Sequence, residues 1–402
     1  MTDRNPFLGE RKETKMLFSL VQKTGPVVKT ELIVASGLTL STMNRVLQPL
    51  DDKNIICDIG ETVSSGGRKP HLFDVNKTSP LFVGIEISRL FVRVAIVNLK
   101  IEIVTSKKVD IDDKMSPDDV LDLAKNTIYD LIKEIGINKK ELIAIGVGAV
   151  GKLDRKNNII IKAPDFPETW HDVHVGEVFE SEFDCPVYLD NGANAAIVAE
   201  YLFGSGRESE HMAYFHIGTG IRTGVINSHK LIRAINGKDD AVAHMIVDIN
   251  GRECSCGNNG CVEAAASVQA IENKFREEIA NGRKTSITTP VDEVRFEEIC
   301  EAAENNDELA VEIIKEAGVY FGTGLANYIS LMNPNTVILS GPLVSHSALF
   351  FKVCTDVAMK KCFVDEGDEL VFRRGCRYKE NVITAGIVAM IIETWLESDL
   401  LT

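Results

Sequence analysis

The sequence predicts an α/β protein built in parts, and three observations predict it. The first eighty residues carry apolar side chains at helical spacing and then a hairpin pattern. From Leu81 onward, short β-rich runs alternate with helical stretches. Between them and a helical C-terminal region lies HMIVDINGRECSCGNNGCVE at 244–263, which gathers one imidazole and three thiols.

At 402 residues the chain is too long for one ordinary core, so two to three domains are expected. Hydrophobic content of 45% and charged content of 26% describe a soluble globular protein. No apolar run is long enough to span a bilayer, and MTDRNPFLGERKETK is no signal peptide. The nine Cys are odd in number, which with no secretion signal predicts reduced thiols and a cytoplasmic location. The net charge of −15 excludes a chain coated in nucleic acid. The charge is uneven, however. Residues 1–80 hold 11 basic and 9 acidic side chains, leaving 33 basic and 50 acidic elsewhere, so a polyanion is best tolerated at the N-terminus.

Residues 11–24 place Met16, Leu17, Leu20 and Val21 at helical spacing, and Gly25-Pro26 ends that run. Residues 30–36 form a second short helix stopped by Gly37. Thr39 caps a third over 40–53, with Leu40, Met43, Leu47 and Leu50 recurring at three and four and Val46 beside them. Its other face carries Ser41, Thr42, Asn44, Arg45 and Gln48, types that donate to phosphates and base edges. Two helices joined by a short Gly-containing turn make a helix-turn-helix. Residues 55–58 and 71–75 read as strands around a GETVSSGGR tip, forming a wing with Arg68 and Lys69 placed for backbone phosphate. The alternative is a small helical cap with no nucleic-acid role, but helix, turn, helix and wing occur in order.

Residues 81–87 and 91–99 are β-rich runs that suggest a hairpin, with a third strand at 102–110. Residues 117–135 are an amphipathic helix. The apolar 142–150 run reads as a buried parallel strand, 185–189 as another, and 191–203 as a helix. A second strand pair opens at Met212 on the same plan, which suggests an internal duplication. There Gly218, Gly220 and Gly224 would let backbone N–H groups approach a phosphate. Residues 267–333 read as largely helical, 337–340 and 370–373 as strands, and 385–397 as a terminal helix.

His244, Cys254, Cys256 and Cys261 make a complete tetrahedral set for zinc, with glycines between them where the chain must reverse. Three Cys among glycines and polar residues do not fit the alternative of buried core thiols. Four protein ligands point to a structural ion, since a catalytic one keeps a position open.

The motif CSCGNNGCVE at 254–263 resembles the hallmark C-x-C-G-x-x-G-C-x-E of the ROK family (repressors, open reading frames, sugar kinases). AVAH at 241–244 resembles the family's E-x-G-H, whose His is the fourth zinc ligand. GTGI at 218–221 is similar to its phosphate loop, and SGGRKP at 65–70 to the wing of its repressor branch, typified by xylose and N-acetylglucosamine regulators. The resemblance covers essentially the whole chain. It implies a two-lobed actin-like fold of the sugar kinase/Hsp70 type behind the winged helix. Its implied domains are 1–80, then 81–195 with about 382–402 as a first lobe, and 196–381 as a second lobe with the zinc site and an oligomerisation surface.

The departures from the family pattern carry as much as the matches. Family kinases hold an aspartate base in N-D-x-N, and this chain has Asn191-Gly192-Ala193-Asn194, with Asp190 two positions earlier open as a substitute. The first phosphate loop, D-x-G-x-T in the family, is Glu86-Ile87-Ser88. Arg222 stands where the second loop has glycine, and the late glycine-rich stretch is Ser340-Gly341-Pro342. Of the implied sugar-binding set, Asn191, His244 and Glu263 remain, while Gly192 and Ala241 replace carboxylates; Glu263 is equally readable as a structural carboxylate. The resemblance therefore implies a non-enzymatic regulator, a repressor of carbohydrate-related genes. Its implied partners are a double-stranded DNA operator, a sugar-like effector bound between the lobes, and a second copy in a homodimer or homotetramer, with no membrane. Two alternatives stand beside it: control by a protein such as a phosphotransferase subunit, and a bifunctional ATP-dependent sugar kinase.

Overall fold

Leu17, Phe18 and Val21 fall on one face of α1 (Lys12–Thr24) and bury against a three-helix head. In the computed structural model, the described residues are 4–61, 70–78, 80–112, 114–163, 166–207, 209–233, 241–365, 367 and 369–396. Arg68 and Lys69, and the wing tip that carries them, lie outside that set. After α1 come β1 (Val27–Val28), α2 (Lys29–Ser36), α3 (Leu40–Asp52), β2 (Ile56–Glu61) and β3 (His71–Val75). Gly37 ends α2 in the left-handed conformation (φ 67°), which glycine adopts without penalty. The strands form a small antiparallel sheet in the order β1-β3-β2. Phe7 completes the core, its ring 4.6 Å from that of Phe18. Met16, which spacing assigns to the buried face, is exposed, and Phe18 takes the core position.

The next sheet is built from β4 (Leu81–Ile87), β5 (Phe91–Asn98), β6 (Ile103–Asp110), then α4 (Pro117–Ile135) and β7 (Leu142–Ala149). Three short antiparallel strands follow: β8 (Lys152–Asp154), β9 (Ile159–Lys162) and β10 (His171–Val173). The run ends with α5 (Val175–Phe183), β11 (Val187–Asn191) and α6 (Gly192–Phe203). The order is β11-β7-β4-β5-β6, with β4–β6 antiparallel and β7 and β11 parallel to β4.

A second unit repeats that plan. It contains β12 (Met212–Ile217), β13 (Ile221–Asn227), β14 (Lys230–Ile232), α7 (Val262–Ala266), α8 (Val268–Ala280), α9 (Phe296–Glu304) and α10 (Glu308–Met332). It closes with β15 (Thr336–Ser340), α11 (Pro342–His346), α12 (Ala348–Lys361) and β16 (Val371–Arg374). The order β14-β13-β12-β15-β16 again joins three antiparallel strands to two parallel ones. The suggested duplication is thus present as matched topology.

The last helix, α13 (Val382–Trp395), returns to the first unit, which comprises residues 1–203 and 381–402, while 204–380 form the second. A boundary at 195/196 would cut α6; the helix stays whole with the first unit because its flank packs on α13.

The head is fastened to the first sheet by the turn between β5 and β6. Lys100 Nζ donates to Asp74 Oδ1 at 2.5 Å, to Asp74 Oδ2 at 2.6 Å and to the Gly25 carbonyl at 2.9 Å. Gln22 Nε2 donates to the Leu99 carbonyl at 2.5 Å. Lys23 Nζ lies 3.8 Å from Glu393 of α13. Asp74 is only 5% exposed in this pair, so removing its cation leaves a buried charge unpaired. Lys100→Met is expected to lower stability by about 3 kcal/mol, read from urea denaturation. Hydrogen exchange should speed first in α1 and β3.

Candidate functional site

Helix α3 starts cleanly because the Thr39 hydroxyl oxygen accepts from the Thr42 N–H at 3.3 Å. Met43, Val46, Leu47 and Leu50 face inward and are buried. Ser41, Asn44, Arg45 and Gln48 are exposed on the opposite face, and Thr42 is half-buried. Leu40, which spacing places with the apolar stripe, is 58% exposed. As first residue of the helix its side chain tilts toward the N-terminus, beyond the core. Lys29, Phe73 and Asp52 escape a sequence reading of this face. Lys29 Nζ donates to Asn44 Oδ1 at 3.1 Å and sits 5.0 Å from the Phe73 ring centroid. Gln48 Nε2 donates to Asp52 Oδ1 at 2.7 Å. Only the Gln48–Asp52 spacing of four is visible in sequence.

In the second unit the chain folds back on itself around the cysteines. Val247 N–H donates to the Gly260 carbonyl at 2.9 Å, Gly260 N–H to the Arg252 carbonyl at 2.8 Å, and Cys254 N–H to the Asn258 carbonyl at 2.8 Å. Gly260 has φ 74°, and a Cβ there would lie 1.6 Å from the Asp248 carbonyl oxygen, so no side chain fits. His244, Cys254, Cys256 and Cys261 bring one ligand atom each to within 4.8 Å of one another. Cys254 Sγ is 3.6 Å from His244 Nδ1, and Cys256 Sγ is 3.6 Å from Cys261 Sγ. A tetrahedral zinc with ordinary bond lengths has an N···S edge of about 3.6 Å and an S···S edge of about 3.8 Å. The donor set therefore fits such an ion. Burial pushes the Cys261 thiol up to about 12 and raises Cys254, while the Asn258 backbone N–H lowers Cys256. The protein alone does not favour three thiolates; a bound cation would supply the missing charge.

Several of the stretches compared above with kinase motifs make hydrogen bonds or ion pairs within the chain. Asp190 Oδ1 accepts from Arg155 Nε at 2.9 Å, from the Asn191 N–H at 2.7 Å and from Asn194 Nδ2 at 3.2 Å. That carboxylate is buried and serves the start of α6. Asn191 is fully buried, its Oδ1 accepting from the Ala193 N–H at 2.8 Å. A Cβ on Gly192 would meet Ile383 Cδ1 of α13 at 3.1 Å. Glu86 is buried 3.5 Å from Arg93, and desolvation raises its carboxyl to about 7 against the pull of that guanidinium. In the second unit, half-buried Glu263 accepts from the Ile221 N–H through Oε2 at 2.7 Å. A donor expected to meet phosphate thus already holds a carboxylate. Gly218 N–H is spent on the Gly220 carbonyl at 3.0 Å. Gly224 lies inside β13, outside the turn. Arg222 guanidinium nitrogens reach 3.6 Å from where a Gly220 side chain would begin. Arg155 and Ile383 could not be assigned to this arrangement from sequence, because each acts across a long chain separation.

A model of the ROK family matches residues 82–366. The xylose repressor of Bacillus spizizenii is 28% identical over 347 residues, covering 86% of this chain and 86% of its own. A solved structure described as a ROK family transcriptional regulator, homolog of E. coli MLC protein, superposes with TM-score 0.79 at 23% identity. It covers 97% of this chain and 98% of its own. A ROK family glucokinase from Streptomyces griseus, solved with glucose and AMPPNP, superposes with TM-score 0.66 at 24% identity, over 77% of this chain and 98% of its own. Both structural likenesses establish the mixed α/β fold. They include a glucokinase as well as a regulator.

Purified protein is expected to carry about one zinc per chain, measured by elemental analysis, and Cys256→Ser to be metal-poor with faster hydrogen exchange across 244–261. A wild type with under a quarter of an equivalent speaks against a structural ion. Gly192→Asp is expected to lose about 1–3 kcal/mol through crowding against Ile383, with no sugar phosphorylation in an ATP-coupled assay.

Proposed function

The chain belongs to the ROK family, and from that premise we propose that it is a DNA-binding transcriptional regulator, a repressor of carbohydrate-related genes. The observation that carries this reading is the α3 face. An amphipathic helix in a three-helix head with a β-hairpin turns Ser41, Thr42, Asn44, Arg45 and Gln48 away from its core. That is a winged helix-turn-helix presenting a recognition helix to the major groove. A repressor relative aligned over most of both chains supports it. The mildly basic charge of the first eighty residues, against an acidic remainder, supports DNA binding at the head. Arg68 and Lys69 complete the proposal as wing residues.

A second copy of the chain follows from the mode of reading. A homodimer sets two α3 helices about one helical turn apart on a pseudo-palindromic operator, and a homotetramer pairs two such dimers. His244, Cys254, Cys256 and Cys261 hold a structural zinc, which fixes the loop leading into α7. Asn191, His244 and Glu263 are the candidates for a sugar-like effector, which shifts DNA affinity only by its different affinity for two states of the protein. No helix of the described residues is long and apolar enough to cross a membrane; a cytoplasmic location is part of the proposal. The crowding at Gly192 and the carboxylate already seated on the Ile221 N–H favour a chain that does not phosphorylate its ligand. Loss of carboxylates at 192 and 241 gives weight to a second reading, control by a protein such as a phosphotransferase subunit.

Replacing both Asn44 and Arg45 with Ala is expected to abolish operator binding at physiological salt without unfolding, followed by fluorescence anisotropy. Unchanged affinity overturns the regulator reading. Thermal-shift screening against sugars and sugar phosphates should find a stabilising ligand. ATP turnover on hexoses, N-acetylhexosamines or pentoses that disappears in Asn191→Ala would establish a kinase instead.

A further inference from the structure

The exposed face of α3 mixes one large apolar side chain with four polar ones. Leu40, at 58% exposure, stands in the first turn, one residue before Ser41 and four before Asn44. Residues 40, 41, 44, 45 and 48 are neighbours on one helical face. The other large apolar residues of α3 are buried, so Leu40 is not part of the core stripe. The head has two arrangements that set the polarity of its neighbours. Lys29 carries only donors, so its hydrogen bond to Asn44 turns the amide oxygen inward and leaves the Nδ2 donor outward. Asp52 only accepts, so Gln48 is turned the opposite way, with Oε1 outward. Arg45 makes no hydrogen bond or ion pair among the described residues and keeps its full set of donors.

The face therefore presents, from the N-terminal end, an apolar group, the Ser41 hydroxyl, two outward donors and an outward acceptor. The major groove offers one apolar group, the thymine C5-methyl, and it offers it beside acceptors at purine N7, guanine O6 and thymine O4. The N-terminal residues of a recognition helix are those that reach base edges.

We propose that Leu40 is a specificity-determining residue that packs on a thymine methyl in each half-site, and that Lys29 is a positioning residue that fixes the neighbouring Asn44 amide as a donor to a base acceptor. This rests on the regulator reading above and goes beyond it by assigning the chemistry of the bases read. Lys29 occupies one of the two lone pairs of the Asn44 oxygen, which favours use of the Nδ2 donor at the base edge over the usual bidentate pairing of Asn with adenine. Gln48 Oε1, at the C-terminal end of the face, is turned to accept from adenine N6 or cytosine N4.

The test uses the full-length protein and a randomised duplex library. Wild-type selection gives a consensus, in which each thymine is then replaced singly by deoxyuridine, removing only the methyl. One thymine per half-site is expected at which that loss weakens wild-type binding about fourfold. Leu40→Ala should bind the intact consensus about fourfold more weakly, and should be indifferent to the deoxyuridine at that site. Lys29→Met should relax selection at one base pair; equal weakening on all sequences would mark Lys29 as a phosphate contact and overturn its positioning role. Circular dichroism melts of each variant verify folding, and the deoxyuridine series needs no variant at all. The Leu40 assignment fails if no deoxyuridine substitution weakens the wild type, or if Leu40→Ala retains full sensitivity to it. If Arg45→Ala loses the consensus while Leu40→Ala keeps it unchanged, this inference falls and the regulator reading stands. If the wild type selects no consensus, both fall.

Discussion

The first unit depends on how closely α13 lies against its neighbours. A Cβ on Gly386 would come within 1.9 Å of the Ala195 carbonyl oxygen of α6, and one on Gly84 of β4 within 2.2 Å of the Thr384 carbonyl oxygen. Gly148 of β7 meets Ile383 in the same way. Helix and sheet touch here at backbone distance, which only the absence of a side chain permits. Nearly every residue of α13 is buried in consequence. Because α13 comes from far along the chain, the core of this unit is completed by non-local contacts, which are costly to close.

The same helix joins two features that sequence shows only separately. Its first turn packs beneath Gly192 and Gly148, where a kinase would keep its base. Its last turn carries Glu393, which faces Lys23 of the head, and Trp395, whose Nε1 donates to the Tyr188 hydroxyl at 2.7 Å. Together with Lys100 on Asp74 and Gln22 on the Leu99 carbonyl, this ties the head both to α13 and to the turn between β5 and β6. In the second unit, His244, Cys254, Cys256 and Cys261 gather where the 244–263 loop folds back on itself.

The sequence was most legible where one signal acted locally. Caps, periodicity and glycine stops placed α1 to α4 within a residue or so, because each is set by near neighbours. The clustering of His244 with three cysteines was legible for a similar reason, since these residues lie within a short stretch whose spacing is itself the signal. The strands β8 to β10 are three or four residues long, too short for alternation to register. Helix α12 escapes a hydropathy reading because its buried stripe, Phe350, Cys354 and Ala358, is one residue wide. Site details set across long chain separations were not legible: Arg155 on Asp190, Ile383 under Gly192, Lys29 on Asn44. Gly192 shows the difference well. Its identity announced a missing carboxylate, but only packing shows Ile383 Cδ1 pressing on that space, 3.1 Å from where a side chain would begin.

That contact bears on how such a chain could change over evolutionary time. Regaining an acidic side chain at 192 takes one substitution, yet Ile383 stands against it. Trimming Ile383 first would open a void beneath Gly148 and Gly192, and such voids destabilise by the contacts they forfeit. The two positions are therefore coupled through one contact: how far the end of the Ile383 side chain can yield decides whether a larger residue at 192 is tolerated.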